Sequence, residues 1–333
     1  MSSAPAAHSS QPAAPAPLQV DAAAYLGLAA VPASVRDRLA IAVTSHTFLP
    51  RADDLPNDWV ATVATPVFKL IRRRQGVQPA FCSIGTGAGL DALAAIETLG
   101  SARVGITDVH EDVVRAASLN ITANLRPGRA VELEAGHGDL LSPLSGYKRN
   151  YDLIYENLPN VPIQDAARLG DERVSSGHVP PRAEPVPDSV QRRLLTLHYL
   201  ALRQAREFLA PGGSVISMLG SRVPLSAFHD MARLAGHRSE IYVYTWKVQT
   251  EPESMIGGYV EQQRAGFGPF HFYRASRLAE VFSQVDLATS GERAAEIERQ
   301  LAPDRLDAPA AWDALQRGET IGHTASVLRS WPA

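Results

Sequence analysis

The sequence predicts an α/β fold on a largely parallel sheet, and three observations carry that prediction. Short apolar runs of strand character alternate with segments of helical period between residues 80 and 218. The first run, Phe81-Cys82-Ser83-Ile84, passes straight into Gly85-Thr86-Gly87-Ala88-Gly89, a G-x-G-x-G turn ahead of a helix. The second run ends in Asp108, 23 positions after Gly85. Glycines let a ligand approach main-chain N–H groups without a Cβ in the way, and the following helix points its positive end at the same spot. A carboxylate at a second-strand tip is placed to accept hydrogen bonds from both ribose hydroxyls. A dinucleotide fingerprint needs its third glycine one residue later, where Leu90 stands, so the spacing fits an adenosine without a pyrophosphate.

The elements follow in order. Residues 1–18 are rich in Ala, Pro and Ser and predict a disordered tail. Residues 19–76 predict a helical cap with helices over 22–30, 34–43 and 57–73, the last carrying Val60, Val63, Val67, Leu70 and Ile71. Lys69 and Arg72-Arg73-Arg74 close that segment, where cations suit the negative end of a helix. Residues 77–275 form the predicted main domain, with strands over 80–84, 103–107, 131–135, 151–155 and 213–218. Helices are predicted over 90–99, 109–124, 189–209 and 225–235. The helix over 189–209 shows its buried face as Val190, Leu194, Leu197, Ala201, Ala205 and Phe208, and Ala210-Pro211-Gly212-Gly213 stops it. Residues 276–333 predict a helical extension, with helices over 277–285, 292–301 and 308–316. Between 158 and 188 six prolines and no period predict a long loop. Such a loop is either disordered or a substrate cover in which Arg173, His178 or Arg182 meets the substrate.

Composition narrows the function. A chain of 333 residues with 45% hydrophobic content buries a large core. A net charge of −3 carries no basic excess, which argues against nucleic acid and for a small-molecule partner. The single cysteine, Cys82, excludes an internal disulfide, and no cysteine metal site is expected; His46, His110, His137 and His198 are not nominated as ligands, so the expected metal is none. No signal peptide and no run of 18 apolar residues is present, so the chain reads as cytoplasmic and free of membrane. Self-association into a homo-oligomer is compatible with this composition.

Four stretches then resemble, in order, the class I S-adenosylmethionine-dependent methyltransferase family. They are the glycine loop; Gly105-Ile106-Thr107-Asp108; Gly138-Asp139-Leu140; and Tyr151-Asp152-Leu153-Ile154-Tyr155-Glu156-Asn157-Leu158-Pro159-Asn160. The resemblance implies a seven-stranded, mostly parallel, Rossmann-like sheet with helices on both faces, and 241–248 with 269–273 as its antiparallel edge. It implies that Gly85, Thr86, Gly87 and Gly89 line the methionine and ribose side of S-adenosylmethionine. It further implies that Asp108 holds the ribose, and that Asp139, with Leu140 beside it, meets the adenine amino group. Asp108 read alone is also a good helix N-cap, and Asp139 a common turn residue. Asn157-Leu158-Pro159-Asn160 is similar to the N-P-P-Y signature of the release-factor glutamine methyltransferase branch, but degenerate: Asn160 stands where a stacking aromatic belongs. Phe48-Leu49-Pro50-Arg51-Ala52-Asp53 is a second echo of that branch. Asn157 is the candidate to hold an acceptor or the cofactor's amino group, and Tyr25, Tyr155 and Tyr199 are candidate wall residues, with Asn157, Tyr25 and Tyr199 the catalytic set.

The expected function is methyl transfer from S-adenosylmethionine to a nitrogen or oxygen of a small molecule, in specialised metabolism. Three alternatives stay open. The cofactor's own amino group displaces the sulfur, giving azetidine-2-carboxylate and methylthioadenosine; the acceptor is a protein glutamine or an RNA; or the chain binds the cofactor without turnover. In-line displacement at a sulfonium carbon needs position more than acid or base, so the lack of an obvious base is no objection.

Overall fold

The computed structural model describes residues 16–147, 150–162, 178–179 and 182–333. The fold is α/β, with a mostly parallel central sheet and helices on both faces. The elements are β1 (Leu18–Asp21), α1 (Ala22–Tyr25), β2 (Arg38–Ile41), α2 (Thr65–Gln75), β3 (Ala80–Ile84), α3 (Leu90–Thr98), β4 (Arg103–Asp108), α4 (Glu111–Ala123), β5 (Glu132–His137) and β6 (Tyr151–Glu156). Next come β7 (Val161–Pro162), β8 (His178–Val179), α5 (Asp188–Gln191), α6 (Thr196–Ala205), β9 (Leu209–Ser221), α7 (Leu225–Leu234), β10 (His237–Val248) and α8 (Pro252–Arg264). The chain finishes with β11 (Tyr273–Arg274), α9 (Ala275–Phe282), α10 (Ala294–Leu301), α11 (Ala308–Gln316) and β12 (Ile321–Pro332).

The sheet order is β10-β12-β9-β6-β3-β4-β5, with β11 attached to β12 as an eighth strand. Strands β9, β6, β3, β4 and β5 are parallel, and β12 runs antiparallel to both β9 and β10. Chain order reverses between β3 and β6, and in an open sheet of this kind ligands settle outside the carboxyl ends of the strands at such a reversal. Strand β3 is buried along its whole length, as a central parallel strand covered on both faces must be. Its side chains alternate between two cores. Phe81 joins Leu153, Tyr155, Ile216 and Met218 under α2 and α3. Cys82 and Ile84 join Ile154, Val215 and Leu219 under the helices of the other face.

Several expectations are corrected. The tail expected over 1–18 ends sooner, because Leu18 already opens β1; residues 1–15 lie outside the described residues. The cap over 19–76 is not purely helical. Residues 34–43 contain β2, paired with β1, and the side chains of Asn124 just after α4 and Asn120 within it receive the backbone N–H groups of Ala40 and Ala42 at 2.8 Å each. The helix over 189–209 is two helices, broken at Leu194, whose φ is +56°. The extension over 276–333 is not only helical: it ends in β12, which fills the place between β9 and β10. The antiparallel partner of 241–248 is therefore β12, and 269–273 contributes only the first residue of β11. Of the loop over 158–188, residues 163–177 and 180–181, with Arg173, lie outside the described residues. Among the described residues no helix is long and apolar enough to cross a membrane.

Candidate functional site

A cavity of about 520 Å³ opens at the carboxyl edge of the sheet. Its floor is the ends of β3, β4, β6 and β9, and its roof is the segment 45–60 between β2 and α2. Of the candidate residues, Gly85, Thr86, Gly87, Asp108, Asp139, Leu140, Asn157 and Tyr25 line it, and so does Tyr155. Gly89 and Tyr199 do not.

The glycine loop lies at one end. Gly85, Gly87 and Gly89 all have left-handed φ, at +68°, +52° and +80°. A Cβ built on Gly87 meets nothing within 4 Å, so the space beside its Cα is free. Asp108 faces this loop: its Oδ2 accepts from the Gly87 N–H at 3.2 Å and its Oδ1 from the His110 N–H at 3.2 Å. Burial raises its carboxyl above the usual range, and the two N–H donors work against that shift. Below the loop, Asp91 accepts from Thr86 Oγ1 at 3.0 Å and from Ser83 Oγ. Burial pushes its pKa up to about 6. Gly89 packs against α4: a Cβ there would meet the Ala117 carbonyl oxygen and Ile121 Cγ1, each at 3.3 Å.

Asp139 is on the wall, but its carboxylate is taken by a bidentate pair with Arg182, at 2.6 and 3.0 Å. Arg182 also pairs with Glu184. At the tip of β6, Asn157 is exposed on the cavity wall. Its neighbours turn inward. Glu156 and His198, both fully buried, pair at 2.9 Å, and Asn160 Nδ2 contacts His198 Nε2 and the Leu194 carbonyl oxygen at 3.0 Å each. The helix break at Leu194 presents that carbonyl to Asn160. Tyr25 is held by Asp58, donating its hydroxyl at 2.8 Å, and burial followed by that carboxylate raises the phenol well above its ordinary value. Tyr199 packs in the core under Arg203, 6.0 Å from the ring centre, away from the cavity lining.

The opposite end is formed where β9, β10 and β12 terminate. Arg222, Gln249 and His323 line it, with Trp59 in the roof. Arg222 donates to Gln249 Oε1 at 2.6 Å, and its guanidinium lies 5.0 Å from the Tyr259 ring centre. Gly220 has no side chain because Arg222 occupies that space. His323 stacks on Trp59 at 6.2 Å, and burial, aided by the Arg222 cation, holds it well below the usual histidine range. Its imidazole is therefore neutral. Lys247 lies behind Trp59, 5.5 Å from the ring, with Nζ donating to the Pro56 carbonyl at 3.0 Å; burial lowers it to about 8.

No family model matches the chain, and no curated protein matches it in sequence. Among solved structures it is similar to the ribosomal protein L11 methylase of Lactobacillus delbrueckii subsp. bulgaricus: TM-score 0.34, 19% identity, over 53% of this chain and 69% of that one. It is also similar to a methyltransferase from Pyrococcus furiosus, at TM-score 0.35 and 18% identity over 54% and 75% of the two chains. A third is the precorrin 8W decarboxylase of Methanobacterium thermoautotrophicum, at TM-score 0.33 and 16% identity over 55% and 76%. Scores and identities this low decide neither a reaction nor a substrate.

Sequence reasoning missed four groups. Arg222, Trp59 and His323 come from segments without a motif, and only the sheet's closure by β12 brings them together. The Glu156–His198 pair was signalled by a glutamate at the end of an otherwise apolar strand, since a carboxylate there needs a buried partner. His46, His110 and Asp112 also cluster, with donor atoms within 4.8 Å of one another. The two imidazoles stack at 4.5 Å and 8°, however, so their in-plane lone pairs run in parallel planes and do not converge on one ion.

Proposed function

We propose that this chain is an S-adenosylmethionine-dependent methyltransferase acting on a nitrogen or oxygen of a small molecule. One observation carries the reading: the Gly85-Thr86-Gly87 turn and the Asp108 carboxylate line one cavity at the reversal of a mostly parallel sheet. The residues fit the nucleoside. Gly87 leaves the space beside its Cα free, and the Asp108 oxygens keep lone pairs for the ribose hydroxyls beyond the two N–H groups they already accept.

Bound there, S-adenosylmethionine supplies an electrophilic methyl on a good leaving group. The protein's part is placement. Asp108 fixes the sugar, and Asn157 orients the attacking atom by its amide. The 45–60 roof, with Trp59 and Tyr25, keeps water from the line of attack. The Asp139–Arg182 pair stands where the resemblance puts the adenine contact, so in this reading Arg182 shares that wall.

A second reading, intramolecular displacement to azetidine-2-carboxylate and methylthioadenosine, is favoured by Asn160. Its amide is used by His198 and Leu194, so the tip of β6 offers an external acceptor no stacking ring.

Calorimetry with S-adenosylhomocysteine tests the cofactor. Binding by the wild type and a loss of roughly tenfold or more in Asp108→Ala are expected, from the charge-assisted hydrogen bonds removed. No heat from the wild type overturns the reading. Mass spectrometry of the nucleoside product then separates the two reactions, since methyl transfer leaves S-adenosylhomocysteine and cyclisation leaves methylthioadenosine.

A further inference from the structure

We infer that the end of the cavity opposite the glycine loop is a carboxylate anchor built on Arg222, a site for a monocarboxylate with an apolar or aromatic body. That the anchored group takes part in the reaction rests on the proposed function; the anchor itself does not.

Among the described residues three arginines line the cavity, and two are matched. Arg182 pairs with Asp139 and Glu184, and Arg51 pairs with Glu251 at 3.4 Å. Arg222 has no carboxylate within ion-pair distance among the described residues. It is also the most enclosed of the three, at 6% exposure. Its recorded partners are neutral: Gln249 Oε1 at 2.6 Å, the Tyr259 hydroxyl at 3.5 Å, and the faces of Tyr259 and Phe272 at 5.0 and 5.7 Å. Among the described residues its Nε is buried and has no hydrogen-bond partner. A guanidinium taken out of water without a counter-charge is expensive to keep, and it is tolerated where a ligand brings the missing anion. The guanidinium lies in the space that a side chain on Gly220 would occupy.

The surroundings choose the ligand. A planar fork of N–H donors matches a carboxylate. A dianion needs a second cation on the wall, and among the described residues Arg51 is held by Glu251, His323 beside Arg222 is kept neutral, and Lys247 stands behind Trp59 with its Nζ on the Pro56 carbonyl and Thr62 Oγ1. Met218, Leu197, Met255 and Trp59 line the same cavity, a surface for an apolar body. The carboxylate has two sources, an acceptor molecule or the amino-acid end of the cofactor, and both present the same group to Arg222.

Calorimetry on the full chain with phenylacetate and with phenylacetamide, which lacks the charge, tests the anchor. Phenylacetate is expected to bind the wild type roughly ten- to hundredfold more tightly than the amide. That preference should vanish in Arg222→Gln and survive in reduced form in Arg222→Lys, which keeps the charge but not the fork. Equal binding of acid and amide by the wild type overturns the anchor whatever the variants do, and so does a preference that persists in a folded Arg222→Gln. S-adenosylhomocysteine then names the source. If it excludes phenylacetate and its own affinity falls in Arg222→Lys while that of adenosine does not, Arg222 holds the cofactor's carboxylate. If phenylacetate binds the saturated protein, the carboxylate belongs to the acceptor. Failure of S-adenosylhomocysteine to bind, with acid preference intact, refutes the cofactor reading and leaves the anchor standing.

Discussion

Asp91 shows how a single side chain ties the loop to the core. It is 3% exposed, and its oxygens receive Thr86 Oγ1, Ser83 Oγ and the Ala92 N–H, so the loop's conformation depends on it. The folded protein nonetheless disfavours its charge, since burial outweighs those donors and lifts its pKa from 3.8 to about 6. The sign follows. Between those two values the folded state binds more proton than the unfolded state, so stability falls as pH rises through the window and levels off above it. About two pKa units correspond to at most roughly 3 kcal/mol. Asp91→Asn should therefore be weakest relative to wild type near pH 4 and gain on it up to about pH 6.5. Urea unfolding at several pH values reads this directly, and a stability difference flat across the window refutes the buried-acid account.

Among the elements, the α3–α4 contact is fixed at Gly89, the glycine that opens α3. A side chain there faces a left-handed φ and α4 at 3.3 Å. Gly89→Ala should cost about 1–2 kcal/mol, read as a lower urea midpoint, with the affinity for S-adenosylhomocysteine changed less than threefold. A tenfold loss of affinity at unchanged stability returns Gly89 to the site. The elements that were legible are those whose signal is local. β3 through β6, α3 and α4 declare themselves by apolar period and by the loop glycines, and Asp108 follows from its spacing. β2 was hidden, because Arg38-Leu39-Ala40-Ile41 carries no strong strand signal; in the fold it pairs with β1, and Asn120 and Asn124 meet its backbone. The break at Leu194 was hidden too, since the residues on both sides keep one helical period. Arg222 could not be found from sequence, because the absence of a counter-charge is a property of assembled space.

At the scale of the whole molecule, the last strand decides the most. β12 pairs with β10 over His237 to Val248 and with β9 over Val215 to Ser221, and it carries His323 to the cavity. Its side chains feed both cores: Leu328 packs on one face and Val327 on the other. A strand inside a sheet leaves two exposed ladders when removed, whereas a terminal helix leaves only a bare patch. Truncation after Arg317 should therefore abolish cooperative unfolding of the whole domain, including the distant β4 and β5. Thermal melts followed by near- and far-ultraviolet circular dichroism would show it as loss of the near-ultraviolet signal and of a sharp transition. A truncated chain that still melts sharply, with near-wild-type signal, would mean that β9 and β10 close the sheet without β12.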